Sequence, residues 1–113
     1  MSMNNITETK KSITAQNTFT YPCKIQKGKF ILAISGLTGT GSTVVAQYST
    51  DADSVIEADM VTPGTATWHD SDPSYTADAI RNAVVGATMH WRAGVKTGGY
   101  SSGTIICEIL QGE

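Results

Sequence analysis

Residues 69–72, His69-Asp70-Ser71-Asp72, hold the types a general acid and base need, and His90 offers a second imidazole further along the chain. Acid–base work on an acyl or phosphoryl group also needs a nucleophile or an activated water. No Gly-framed Ser or Cys accompanies residues 69–73, which are rich in Ser and Asp and end at Pro73. A solvated loop explains that stretch better. His90 stands beside Arg92 on the polar positions of an alternating segment, so a surface or interface role is expected for both. The pairs Asp51/Asp53 and Asp70/Asp72 each place two carboxylates in one turn, as a calcium loop would. Calcium takes six to eight oxygens, and neither pair is followed by the Gly and distal Glu of a helix–loop–helix site. Short side chains that bond their own backbone are the simpler reading. Gly36, Gly39 and Gly41 imitate a phosphate loop, but no helix opening on Lys-Ser/Thr follows. No catalytic, cofactor-binding or metal-binding residue is therefore expected, no cofactor is called for, and the chain does not read as an enzyme.

Cys23 and Cys107 have no His or Cys at metal-ligand spacing. They could join and close a loop of about eighty residues, or sit apart as small buried hydrophobes, and the second reading is preferred. Flat rings on a β-sandwich can stack on a sugar, which makes Trp68, Tyr75 and Tyr100 the candidate glycan contacts of an alternative reading, Trp68 and Tyr100 being freer in or beside loops; core or subunit-interface packing is preferred. Trp91 falls on the apolar side of its segment and belongs to the core.

A chain of 113 residues holds one domain with a core of its own. Eight Lys and Arg against ten Asp and Glu give a formal charge of −2, and the bases are scattered, so nucleic acid is not an expected partner. No apolar run approaches the ~20 residues of a membrane helix. The first eight residues lack the charged-then-apolar layout of a signal peptide, which points to synthesis in the cytoplasm and no membrane partner.

The elements that must position these residues are short β-segments. Residues 1–18 are polar, with isolated Ile6 and Ile13, and are expected to form an N-terminal arm; the β-sandwich domain is expected over residues 19–113. Residues 30–34 are apolar at every position, which marks a central strand covered on both faces. The Gly-rich join over residues 37–42 is too short for a crossover helix, so residues 43–48 are expected to pair antiparallel with residues 30–34 and to expose Gln47. Residues 55–61 alternate loosely and end at Pro63-Gly64; residues 66–68 read as a short strand. Residues 77–85 admit a helical turn or a strand. Met89, Trp91, Ala93 and Val95 share one face of the next strand, residues 97–103 form a hairpin loop, and residues 104–110 close the fold. Seven or eight short strands with Gly- or Pro-marked turns indicate an all-β, antiparallel β-sandwich or jelly roll.

The run Gly-Lys-Phe-Ile-Leu-Ala-Ile-Ser-Gly over residues 28–36, followed by Thr-Val-Val-Ala-Gln-Tyr-Ser-Thr-Asp over residues 43–51 and Trp68, resembles small structural proteins of tailed bacteriophages. Trp91-Arg92-Ala93-Gly94-Val95, the Gly/Ser loop 98–103 and the apolar strand 104–110 continue the likeness, which covers about residues 19–110. The turn after Asp51 departs from the pattern, reading Ala52-Asp53-Ser54 where that group usually carries Gly. The resemblance implies a non-enzymatic virion protein, foremost a capsid decoration (cement) protein on the phage head, and otherwise a tail-fibre or host-adhesion module binding a glycan. The implied partner is the major capsid protein, with the chain itself a dimer or trimer. Ile6, Ile13, His90 and Arg92 are the expected capsid or subunit contacts. Deleting residues 1–13 should then leave a folded domain that binds particles less well.

Overall fold

The computed structural model describes residues 7–112. Its strands are β1 (Thr7–Ile13), β2 (Thr18–Phe19), β3 (Cys23–Ile25), β4 (Gly28–Ser35) and β5 (Val44–Ser49), then helix α1 (Asp53–Val61), then β6 (His69–Tyr75), β7 (Ala79–Val85), β8 (Met89–Val95) and β9 (Ile105–Gln111). The pairing is a long antiparallel ribbon folded over on itself. β1 pairs with β9, β2 and β3 pair end to end along β8, β4 pairs with β7, and β5 pairs with β6. Rolling that ribbon adds β4 to β9 and β5 to β8. The result is two packed sheets, β1-β9-β4-β7 and β2/β3-β8-β5-β6. This is the strand order of a jelly roll, so the expected all-β sandwich is the fold.

Alternation along the strands builds the core. Phe30, Leu32 and Ile34 of β4 and Ile105, Cys107 and Ile109 of β9 face Val44 and Ala46 of β5 and Trp91, Ala93 and Val95 of β8. Phe30 and Trp91 join the two layers, with ring centroids 4.9 Å apart. Cys23 and Cys107 are separate, buried thiols. Burial pushes their thiol pKa values up to about 11 and about 12.

Several expectations are corrected. β4 and β5 do not pair; they belong to opposite sheets, and residues 37–43 carry the chain across the sandwich edge. Gly36 begins that crossing at φ +72°, where a Cβ would stand 2.3 Å from the Thr104 carbonyl oxygen. Residues 53–61 form α1 rather than a strand. Its Ile56 and Asp59 are one turn apart and buried, and Asp53 supplies the negative charge favoured in a first turn. Residues 66–68 are irregular, and the expected loop 69–73 is instead the start of β6, an edge strand held by hydrogen bonds to β5 despite its polarity. Residues 79–85 take the strand alternative.

The polar arm expected over residues 1–18 is corrected wherever it is described. β1 pairs with β9 at seven positions and Ile13 is 0% exposed, so the sandwich begins before residue 19. Glu8, Lys10 and Ser12 point outward, which gives a genuine edge strand the composition of a tail. Gln16 also belongs to the fold: its Oε1 accepts from Gly98 N (2.8 Å) and Tyr100 N (3.1 Å), and its Nε2 donates to the Tyr100 carbonyl. Ile6 lies outside the described residues.

Candidate functional site

Two surfaces of the sandwich differ from ordinary strand exteriors. The first lies on the outer face of the second sheet. α1, inserted between β5 and β6, crosses this face and covers His90, which is only 9% exposed. His90 Nε2 stands 3.5 Å from Asp53 Oδ1, and Asp53 Oδ2 accepts from Lys24 Nζ at 2.9 Å. Burial lowers the His90 pKa, opposed by the Asp53 charge and assisted by Lys24. His90 is thus a helix-covered residue, and the expected surface position is corrected.

Beside it, a chain of hydrogen bonds fixes Arg92. Lys96 Nζ meets Asp70 Oδ2 at 2.6 Å; Asp70 Oδ1 accepts from Gln47 Nε2 at 2.8 Å; Gln47 Oε1 accepts from Arg92 Nε at 2.8 Å. Gln47, expected to be exposed, is 6% exposed because it is the link in this chain. The Arg92 guanidinium carbon lies 4.1 Å from the Phe19 ring centroid and 4.2 Å from that of Trp68. Burial pushes the Arg92 pKa down to about 10, against the pull of Asp59, so the side chain is cationic at neutral pH.

Asp59 anchors the opposite wall. Its Oδ1 accepts from Gly64 N and Ala66 N, both at 2.9 Å, and its Oδ2 from Trp68 Nε1 at 3.2 Å. Burial works to raise its pKa, but the bonds from Ala66, Trp68 and Gly64 and the charge of Arg92 outweigh it, and the carboxyl titrates below its usual range. Between these walls runs an open groove of about 720 Å³. Tyr21, 64% exposed, and Lys11 flank it, with the Lys11 ammonium 5.2 Å from the Tyr21 ring.

The second surface is the outer face of the first sheet. Ile80 and Val84 of β7 are 80% and 72% exposed. Across the ladder Ile80 is opposite Ala33 and Asn82 opposite Ile31, while Ile31 and Ala33 are in turn opposite Leu110 and Glu108 of β9. Ile31, Ala33, Ile106 and Leu110 are half-buried, and no element among the described residues packs over them. Residues 30–34 were expected to be covered on both faces; among the described residues they are covered on one. Among the described residues β7 pairs with β4 alone, which leaves its other edge open.

The residues singled out by type are mostly dispersed. Strand alternation sets the exposed His69 against the Tyr48 ring, centroids 5.3 Å apart, and Asp70 on the other face against Gln47 and Lys96, which separates the supposed acid–base pair. Asp51 accepts from Thr67 N at 2.7 Å while Asp53 serves Lys24 and His90, so that pair does not converge on one cation. Among the described residues no group of three or more His, Cys, Asp or Glu could hold a metal. Of the candidate glycan contacts, Trp68 lines the groove, Tyr75 is in the core, and Tyr100 bonds to the Gly103 carbonyl at 2.6 Å. They do not form one site. Ile13 lies in the core and Arg92 on the groove. Phe19, Tyr21, Gln47 and Asp59 escaped the reading of residue types. Asp59 gave no signal while residues 55–61 read as a strand; only as an acid in the last turn of α1, opposing the helix dipole, does it call for a specific partner.

No protein-family model matches the chain, and no curated protein matches it in sequence. Among solved structures, one described as "Bacillus endospore appendages form a novel family of disulfide-linked pili" is similar at a TM-score of 0.41 and 18% identity, covering 96% of this chain and 88% of that one.

Proposed function

We propose that this jelly roll is a non-enzymatic structural subunit of a larger particle, acting as a capsid decoration protein on the head of a tailed bacteriophage. The observation that carries the reading is an apolar strip on the outer face of the first sheet, with Ile80 and Val84 largely exposed beside half-buried Ile31, Ala33, Ile106 and Leu110, and with Glu8, Lys10, Lys29, Asn82 and Glu108 around it. Contiguous apolar surface of this kind marks a protein contact. β7 is suited to a second copy of itself. Its outward residues Ile80, Asn82 and Val84 are symmetric about Asn82. An antiparallel β7–β7 pair therefore sets Ile80 against Val84 twice, in a two-fold, self-complementary contact. The remaining apolar face of the doubled sheet would then lie on the major capsid protein, and two linked sites multiply weak contacts through effective concentration.

The test is co-sedimentation with undecorated phage heads. Saturable binding at a fixed ratio to capsid protein, lost in Ile80→Lys/Val84→Lys, is expected. A chain that ignores heads, or a double variant that binds as well as the parent, overturns the proposal. The tail-fibre or adhesion alternative with Trp68, Tyr75 and Tyr100 finds no support in their placement, since they face different surroundings.

A further inference from the structure

The groove on the second sheet is independent of the docking face and is built as a ligand site. Arg92 is fixed in orientation through Nε by Gln47, itself fixed by Asp70, and is braced by the Phe19 and Trp68 rings. Among the described residues its terminal Nη atoms have no hydrogen-bond partner. The nearby carboxylate, Asp59, has both oxygens already committed to Gly64, Ala66 and Trp68. A half-buried guanidinium in this state has been partly desolvated without the bidentate acceptor its planar fork suits. The groove volume of about 720 Å³ is within the range of small-molecule sites.

We infer that this groove binds a saccharide bearing a carboxylate, such as a uronic or sialic acid residue, with Arg92 taking the carboxylate and Tyr21 and Trp68 flanking the sugar ring. The class follows from the wall. A flat guanidinium matches a planar carboxylate, and the exposed Tyr21 ring, with the face of half-buried Trp68 that Arg92 does not cover, matches the C–H face of a pyranose. An extended peptide would need a free ladder edge. β2 is two residues long, Thr20 N is already bonded to the Ala93 carbonyl at 2.8 Å, and Pro22 has no N–H to offer.

The test is a titration of the ¹⁵N-labelled full chain, read at the Trp68 indole and at the backbone amides of residues 17–21. The probes are tetragalacturonate, its methyl ester, sialyllactose, a Glu-rich pentapeptide and inorganic phosphate. Saturable shifts with an acidic sugar are expected, with at least about tenfold weaker binding of the ester and of the acidic sugar to Arg92→Lys, which keeps the charge but loses the fork. Tyr21→Ala, at a largely exposed position, should weaken binding several-fold and leave the thermal midpoint unchanged. If Arg92→Lys unfolds, the ester comparison and Tyr21→Ala decide alone. The inference fails if neither acidic sugar saturates below about 10 mM, if the ester binds equally, or if the pentapeptide or phosphate binds these residues as tightly as the sugar.

Discussion

Removing the Asp59 carboxylate should loosen the wall of the groove by an amount the structure specifies. The residue is 7% exposed and accepts three N–H groups, two from the backbone at 2.9 Å and one from the Trp68 indole at 3.2 Å. A hydrogen bond to a charged group contributes about 1.5–3 kcal/mol, and a buried donor left without a partner costs a comparable amount. Ala66 N is buried, whereas Gly64 N and the indole are only partly so, and bonds to one carboxylate are not additive. Asp59→Ala should therefore cost about 3 kcal/mol. Asp59→Asn keeps an acceptor for both backbone donors but turns an amide N–H toward the indole, for a loss of about 1.5 kcal/mol. For a chain of this length those losses lower the thermal midpoint by roughly 12 and 6 °C. Urea unfolding at pH 7, followed by Trp fluorescence, measures both. The pH dependence supplies the sign. A carboxyl held below its unfolded value stabilises the fold above that value, about 3.9, and the contribution is lost as pH falls through the folded value. The gap between parent and Asp59→Asn should accordingly close in acid. An Asp59→Ala protein within about 0.5 kcal/mol of the parent would refute the reasoning.

Three further outcomes are expected. Ile13→Ala should destabilise the fold by about 3 kcal/mol in urea, because a fully buried residue at the end of β1 leaves a cavity, whereas in a detached arm it would cost nothing measurable. Stability should decline as pH falls below about 6.5: the folded-state His90 pKa is depressed by burial, so the unfolded chain takes up its proton first. His90→Gln should flatten the profile between about pH 7 and pH 5, and an unchanged slope would count against the assignment. Cys23 and Cys107 should resist iodoacetamide in the native protein at pH 8 and react once urea unfolds it, which mass spectrometry of the alkylated chain reads directly.

The aliphatic strands were legible because their side chains carry the reason for their burial: residues 30–34 are apolar throughout, 105–110 are apolar but for Glu108, and Met89, Trp91, Ala93 and Val95 share one face. Which strand pairs with which was not. A short Gly-rich join reads locally as a hairpin, and only the pairing of β4 with β7 and β9, and of β5 with β6 and β8, shows that residues 37–43 cross between sheets. β1 and β6 were invisible for the opposite reason, being polar edge strands stabilised by the ladders of β9 and β5 rather than by their own hydrophobicity. The site divides in the same way. Trp68 and Arg92 stood out by type, but what joins them to Phe19 is the pairing of β2 with β8, where Phe19 is opposite Gly94 and a Cβ on Gly94 would stand 2.1 Å from the Thr18 oxygen. Deleting residues 1–13, expected to leave a folded domain, would instead expose the edge of β9 and remove Ile13 from the core.

The proposed docking role of the first sheet is tested most directly by sedimentation velocity of the full chain, alone and with undecorated heads, beside Ile80→Lys/Val84→Lys. Both residues are exposed in the single chain, so the double variant should fold normally. The account predicts a parent that dimerises with rising concentration and co-sediments with heads, and a variant that stays monomeric and leaves them bare. Parent and variant sedimenting alike, in both settings, would contradict it.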